Sequence, residues 1–240
     1  MRINEDSWLL NVPIAHRGLW GHGVPENSLP AFIAAANAGF AIETDLYCTK
    51  DGEIVCFHDD SLSRMTGELG GICDKTLSEL KGLRLQGSDE TIPTLKEVLS
   101  AIDGKTPILI EFKNQKDKTY VKKAVDILKE YKGEFAVQSF NPFILNKIKT
   151  LAPEFIRGIL AAKKPDTKNS VEKFVVKHMP FNFLCKPDFI SYDYKGLPLK
   201  KRKLKNRALL CWTITDEKCF EFANTLCDNI IFEGFIPEKK

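Results

Sequence analysis

The sequence predicts an α/β chain of the TIM (β/α)8 type with a small insertion after the second strand. Three observations predict it. Short apolar runs alternate with amphipathic or Ala-rich segments from one end of the chain to the other. The connections between successive runs are mostly long enough for the crossover helix that parallel strands require. The 240 residues also match the size at which about eight such units close into a barrel.

Strands are predicted over 12–15, 41–46, 54–57, 107–112, 135–139, 155–160, 189–192, 208–214 and 229–232. Helices are predicted over 29–38, 95–102 and 120–131, which stop at Gly39, Gly104 and Gly133. Further helices are predicted over 142–151, 170–183, 199–206 and 217–226. One strand breaks the alternation. The run 54–57 follows the turn-like Lys50-Asp51-Gly52 with no room for a crossover helix, so it reads as a hairpin partner or an extension of the second strand. The polar, Gly-containing stretch 60–93 then reads as an insertion within one domain spanning 1–240.

Composition bounds the function. Thirty-five Lys and Arg against thirty-two Asp and Glu leave a net charge of +3, too even for a surface that wraps nucleic acid. The basic run Lys200-Lys201-Arg202-Lys203-Leu204-Lys205-Asn206-Arg207 lacks interleaved aromatics, and it reads as a solvated helix face, not a site for nucleic acid or anionic lipid. Seven cysteines form no CxxC pair, and their odd number excludes a complete set of internal disulfides, so they read as reduced thiols. The acidic N-terminal stretch MRINEDSWLLNVP does not resemble a signal peptide, and no run approaches about 18 apolar residues. The expectation is a cytoplasmic protein without stable membrane insertion.

Chemistry-bearing residues collect at the ends of the early strands. Glu43 and Asp45 are two apart on one strand and share a face, and Glu111 and Lys113 do the same on another. Charged groups at the ends of buried strands need partners, and three converging carboxylates suit a hard cation such as Mg²⁺ or Ca²⁺. A rim ion-pair network with Arg17, Arg64 or Lys113 is the alternative at this point. His16 and His58 each follow an apolar run, so two imidazoles stand near the carboxylates, as proton transfer at a phosphodiester requires. His22 and His178 lack that context. Arg17 offers a planar fork and Lys113 a point charge to an anionic centre.

These residues also carry a resemblance. The ordered pattern runs from His16-Arg17-Gly18 through Pro25-Glu26-Asn27-Ser28, Glu43-Thr44-Asp45 and Thr49-Lys50-Asp51-Gly52 to His58-Asp59 and Arg64-Met65-Thr66-Gly67. It resembles the glycerophosphodiester phosphodiesterase family. Glu111-Phe112-Lys113, Gln138-Ser139-Phe140-Asn141 and Trp212-Thr213-Ile214-Thr215-Asp216 follow in the family's order. The resemblance implies a barrel that hydrolyses glycerophosphodiesters to sn-glycerol 3-phosphate and an alcohol with a divalent metal. It implies that Glu43, Asp45 and Glu111 hold the metal, that His16 and His58 are general acid and base, and that Arg17 and Lys113 contact phosphate. Trp212 would wall the glycerol or alcohol, and Asn27 or Ser28 would cap the helix that follows. Ser28 stands where the family commonly has Thr, and Glu233 near the family's late Asp. A lysophospholipase D or phospholipase C-like enzyme on the same barrel would share the site but need an apolar mouth. A non-catalytic anion-binding barrel would have lost a site residue, and none is replaced.

Overall fold

The computed structural model describes residues 2–238. Its strands are β1 (Ile14–His16), β2 (Ala41–Cys48), β3 (Ile54–Cys56), β4 (Ile108–Phe112), β5 (Phe135–Ser139), β6 (Arg157–Ala161), β7 (Phe189–Asp193), β8 (Ala208–Ile214) and β9 (Asn229–Phe232). Its helices are α1 (Trp8–Asn11), α2 (Leu29–Asn37), α3 (Ser63–Thr66), α4 (Leu77–Lys81), α5 (Leu95–Ile102), α6 (Tyr120–Glu130), α7 (Pro142–Leu151), α8 (Ser170–His178), α9 (Asn182–Cys185), α10 (Lys201–Leu204) and α11 (Glu217–Asn224). The fold class is the expected TIM-type (β/α)8 barrel with one added strand, β3. The chain divides into two compact units, residues 15–134 and residues up to 14 together with 135 onward.

Within residues 15–134, β2 pairs in parallel with β4 so that Asp45 lies opposite Glu111. β3 returns antiparallel along β2, with Leu46 opposite Cys56, as the lack of room for a crossover predicts. Ser28 caps α2 by accepting from the Ala31 N–H, Pro30 lies in its first turn, and Ala31, Phe32 and Ala35 are its buried face. Thr94 and Glu97 form a capping box on α5, whose buried residues Leu95, Val98, Leu99 and Ile102 recur at helical spacing. The insertion has an apolar seam that its overall polarity hides. Leu62, Met65, Ile72, Leu80, Leu85 and Ile92 pack with Tyr47, Val55 and Phe57 of the β2–β3 hairpin. The excursion therefore rests on the strand that carries Asp45.

In the other unit, β5 to β9 run parallel, each paired with the next. The helix predicted over 170–183 breaks in two. Met179 adopts a left-handed conformation before Pro180, which disfavours helical backbone in the residue ahead of it. The helix predicted over 199–206 is likewise reduced to α10, because Lys205 and Asn206 both take positive φ. The short α1, absent from the periodicity, is capped by Ser7 and tied down by Asn229, whose amide donates to Leu9 O at 3.1 Å and Val12 O at 2.7 Å.

Gly158 on β6 lies opposite Phe189 on β7, and the fully buried Phe189 ring covers it. A Cβ at Gly158 would stand 2.0 Å from that ring, a clash that only repacking can relieve. Gly158→Ala is expected to destabilise the protein by about 1–3 kcal/mol, read as a lower urea midpoint; an unchanged midpoint would show that the strand pair yields freely.

Candidate active site

Three strand ends and one return strand bring the polar cluster together. On β2, Glu43 and Asp45 project to one face, and the parallel register sets Glu111 of β4 directly across from Asp45. Ligand oxygens of Glu43, Asp45 and Glu111 all lie within 4.8 Å of one another, and all three side chains are buried. Lys113, two residues beyond Glu111 on the same face, reaches back with Nζ 2.8 Å from Asp45 Oδ1 and 3.1 Å from Glu111 Oε1.

β1 delivers His16, whose Nε2 is 3.9 Å from Glu43 Oε2. The chain then turns sharply. The Arg17 N–H donates to Glu43 Oε2 at 3.3 Å, and Gly18 at φ +84° crosses α2 so closely that a Cβ would lie 2.7 Å from the Ala31 carbonyl carbon. This crossing turns the Arg17 guanidinium inward, with NH1 2.7 Å from Glu26 Oε1 and Nε 3.8 Å from Asp45 Oδ2. Asn27 buttresses the floor by donating to Asp45 Oδ2 at 3.2 Å and accepting from Thr44 Oγ1 at 2.8 Å.

His58 arrives at the end of the return strand. Its strand, β3, runs antiparallel, and the Phe57 N–H donates to Asp45 O at 3.0 Å, so the residue after it stands at the level of the carboxylates. The His16 and His58 rings are 6.5 Å apart and nearly perpendicular. His58 Nδ1 lies 2.6 Å from Asp59 Oδ1, a contact that places the ring's Nδ1 proton toward Asp59 and leaves Nε2 free of it. Asp59 Oδ2 accepts from Arg64 Nε at 2.6 Å, and Arg64 donates to both oxygens of Glu26 at 2.7 and 2.9 Å.

Burial and like-charge repulsion set the protonation of this cluster. Burial, then Asp45 and Glu111, push the Glu43 carboxyl well above the usual carboxylate range. Glu111 is also raised, chiefly by burial and against the pull of Lys113. At Asp45 burial is overcome by Lys113, His58 and Arg17, and its carboxyl is held below the usual range. Lys113 is raised because Asp45 and Glu111 outweigh its burial. Burial lowers His58, against the attraction of Asp45.

The signature of the glycerophosphoryl diester phosphodiesterase family matches residues 16–234. The chain belongs to this family. It is 36% identical over 159 residues to the glycerophosphodiester phosphodiesterase of Caldanaerobacter subterraneus, a match covering 61% of this chain and 65%, just under two thirds, of that protein. It is 30% identical over 252 residues to glycerophosphodiester phosphodiesterase 1 of Bos taurus, covering 86% and 73%. Among solved structures it is similar to an Oleispira antarctica phosphodiesterase in complex with the product sn-glycerol-3-phosphate, with a TM-score of 0.80, 28% identity and 94% and 93% coverage. It is also similar to the glycerophosphodiester phosphodiesterase of Thermotoga maritima, with a TM-score of 0.71, 28% identity and 92% and 94% coverage.

In this member of the glycerophosphodiester phosphodiesterase family, seven of the eight residues singled out from sequence meet in one cluster: His16, Arg17, Glu43, Asp45, His58, Glu111 and Lys113. Trp212 belongs to the other unit, on β8, where its half-buried ring packs edge-on against Phe140 at 5.7 Å. The ion-pair alternative is half realised. Arg17 and Lys113 do face the carboxylates, but Arg64 turns to Glu26 and Asp59 instead. Sequence reasoning gave Asp59 and Arg64 no part in orienting His58. Their membership of the His58-Asp59 and Arg64-Met65-Thr66 motif was the available signal; the partner, Glu26, lies 38 positions earlier than Arg64. Ser28 is the helix cap, which leaves Asn27 free to brace Asp45.

Glu26 is buried, and hydrogen bonds and charge from Arg64 and Arg17 overcome burial to hold its carboxyl below the ordinary value near 4.5. A carboxylate lowered in the folded state contributes stability that is present above its unfolded pKa and is lost as pH falls through the folded value. Glu26→Gln is expected to cost about 2–3 kcal/mol at pH 7, the low end for a broken buried pair because Arg64 is partly in solvent. The deficit should shrink as pH falls from near 4.5 toward the lower folded value. Urea titrations of both proteins across pH 3–7 check this, and a constant difference would refute the electrostatic origin.

Proposed function

We propose that this protein hydrolyses glycerophosphodiesters to sn-glycerol 3-phosphate and an alcohol, using His16 and His58 for proton transfer beside a divalent-metal site. The observation that carries the reading is the juxtaposition of three buried carboxylates within 4.8 Å with two imidazoles 6.5 Å apart. Family membership and the likeness to a phosphodiesterase solved with sn-glycerol-3-phosphate support it.

The donor set fits a hard cation: all three groups are oxygen ligands, and burial with mutual repulsion leaves Glu43 and Glu111 reluctant to ionise without an added positive charge. Glu43, Asp45 and Glu111 would hold Mg²⁺ or Ca²⁺, which when bound supplies Lewis-acid neutralisation of phosphate charge. Arg17 and Lys113 supply fixed positive charge to the phosphate oxygens. One imidazole takes the proton of the attacking water or glycerol hydroxyl, and the other protonates the leaving oxygen. Asp59, held by Arg64, fixes the tautomer of His58 so that Nε2 is the working nitrogen. The half-buried Trp212 is proposed as the apolar wall for the glycerol or alcohol moiety. All seven cysteines are free, which supports a reducing, cytoplasmic location. Among the described residues no helix is long and apolar enough to cross a membrane.

Release of sn-glycerol 3-phosphate from glycerophosphocholine, glycerophosphoethanolamine and glycerophosphoglycerol, with lysophospholipids alongside, tests the substrate class. Preference for lysophospholipids would move the reading to a lysophospholipase D. His16→Ala and His58→Ala are each expected to lower kcat by about 10²–10⁴ with unchanged thermal melting. A p-nitrophenyl diester, whose leaving group needs no proton, should restore activity only to the variant that has lost the acid; rescue of both or neither would remove the division of labour.

Chelation is expected to abolish turnover, and Mg²⁺ or Ca²⁺ to restore it. Titrating either cation into the chelated protein should release protons, because a bound cation favours the ionised form of Glu43, whose carboxyl stands well above the usual range. Heats of cation binding compared between two buffers of different ionisation enthalpy give the number of protons released. Glu43→Gln should release fewer protons, and equal release would place the cation elsewhere.

A further inference from the structure

The net charge of +3 conceals an uneven distribution. Residues 142–207 hold sixteen Lys and Arg against five Asp and Glu, a net +11, while the rest of the chain holds nineteen against twenty-seven, a net −8. The same stretch leaves large apolar side chains in the open. Phe143 is 56% exposed, Val171 72%, Phe174 56% and Phe183 74%. A helix of a globular protein normally turns such groups inward, and exposed apolar side chains that share a face mark an interaction surface.

The fold links the helices that carry these two features. The Phe143 ring on α7 meets Phe181, just ahead of α9, at 5.1 Å. α9 turns directly off α8, with the Asn182 N–H donating to Met179 O at 3.3 Å, and Phe174 on α8 stacks against His178 at 4.8 Å. The basic run joins the end of α8 through Lys203 Nζ, which donates to Lys177 O at 2.9 Å. Partial burial, then repulsion from Arg202, Lys177 and Lys200, pushes the Lys203 ammonium below the ordinary lysine value, as crowding by like charges requires.

We propose that the α7–α10 face docks reversibly on an anionic lipid bilayer, with Phe143, Phe174 and Phe183 seated at headgroup level and the surrounding lysines and arginines on lipid phosphates. Long basic side chains bury their stems while keeping their charge among headgroups, and an apolar patch with a basic surround has the chemistry of a peripheral membrane contact. Nucleic acid fits less well. Exposed Phe174 shares α8 with exposed, aliphatic Val171, and the basic run itself contains no aromatic residue for base stacking. Such docking would replace the reading of 200–207 as a merely solvated face, and it stands independently of the hydrolytic reading.

Co-sedimentation of the full chain with phosphatidylcholine vesicles, with and without about one third phosphatidylglycerol, tests the proposal. Partition onto the anionic vesicles is expected to exceed that onto neutral ones by about tenfold or more at about 50 mM NaCl, and to collapse near 500 mM. The double variant Lys200→Glu/Lys201→Glu should reduce it by about tenfold, and Phe174→Ala/Phe183→Ala by about fivefold. Those four side chains lie outside the catalytic cluster, so thermal melting and hydrolysis of soluble glycerophosphodiesters should be unchanged, which separates lost docking from lost folding or chemistry. Equal binding to neutral vesicles, indifference to salt, or indifference to both variants overturns the proposal. So does tight, salt-sensitive binding of an oligonucleotide with no vesicle binding.

Discussion

Glu43, Asp45 and Glu111 repel one another inside a buried space, and the arrangement of the surrounding residues follows from keeping them there. Two cations, Lys113 and Arg17, are drawn in to oppose that repulsion. They hold Asp45 ionised, while Glu43 and Glu111 resist ionisation. The cluster is thus short of positive charge by design of its geometry, a condition suited to a divalent ion and an anionic phosphate together. Asn27 and the Arg17 backbone N–H each donate to one further oxygen of the set, Asp45 Oδ2 and Glu43 Oε2.

Around this core runs a second layer of charge that serves position more than chemistry. Glu26 from the loop after β1 gathers Arg17 and Arg64, and Arg64 passes the constraint to Asp59 and so to His58. Arg64 stands on α3, within the insertion, so the insertion is more than a decoration. Its apolar seam anchors it on Tyr47, Val55 and Phe57, and its arginine orients one of the two imidazoles. Tyr47 strengthens the same join by donating its hydroxyl hydrogen to Asp60.

The basic α7–α10 face answers a different demand. The carboxylate cluster keeps its charges buried, whereas most of the basic side chains of residues 142–207 reach solvent, as do several of its phenylalanines. A small net charge therefore says little about local surfaces. Two opposed regions sum to nearly zero, and only the folded positions of α8 and α10 show that basic and aromatic side chains share a neighbourhood.

The sequence by itself pointed to the barrel class, to 54–57 as a companion of the second strand and to seven members of the cluster, because these rest on local properties: strand period, turn residues, the ends of apolar runs and the two-residue spacing that puts Glu43 with Asp45 and Glu111 with Lys113. Tertiary structure decided what no local pattern carries. The parallel register set Glu111 against Asp45, and the antiparallel return of β3 put His58 beside them. The long-range pairing of Glu26 with Arg64 made Asp59 an orienting group. The break of 170–183 at Met179 shows the same division: Pro180 was legible as a disfavoured helix position, but competing helical periodicity on both sides concealed it until the backbone settled which preference won. Contacts between residues far apart in the chain depend on how strands align in space, and that alignment is a property of the whole fold.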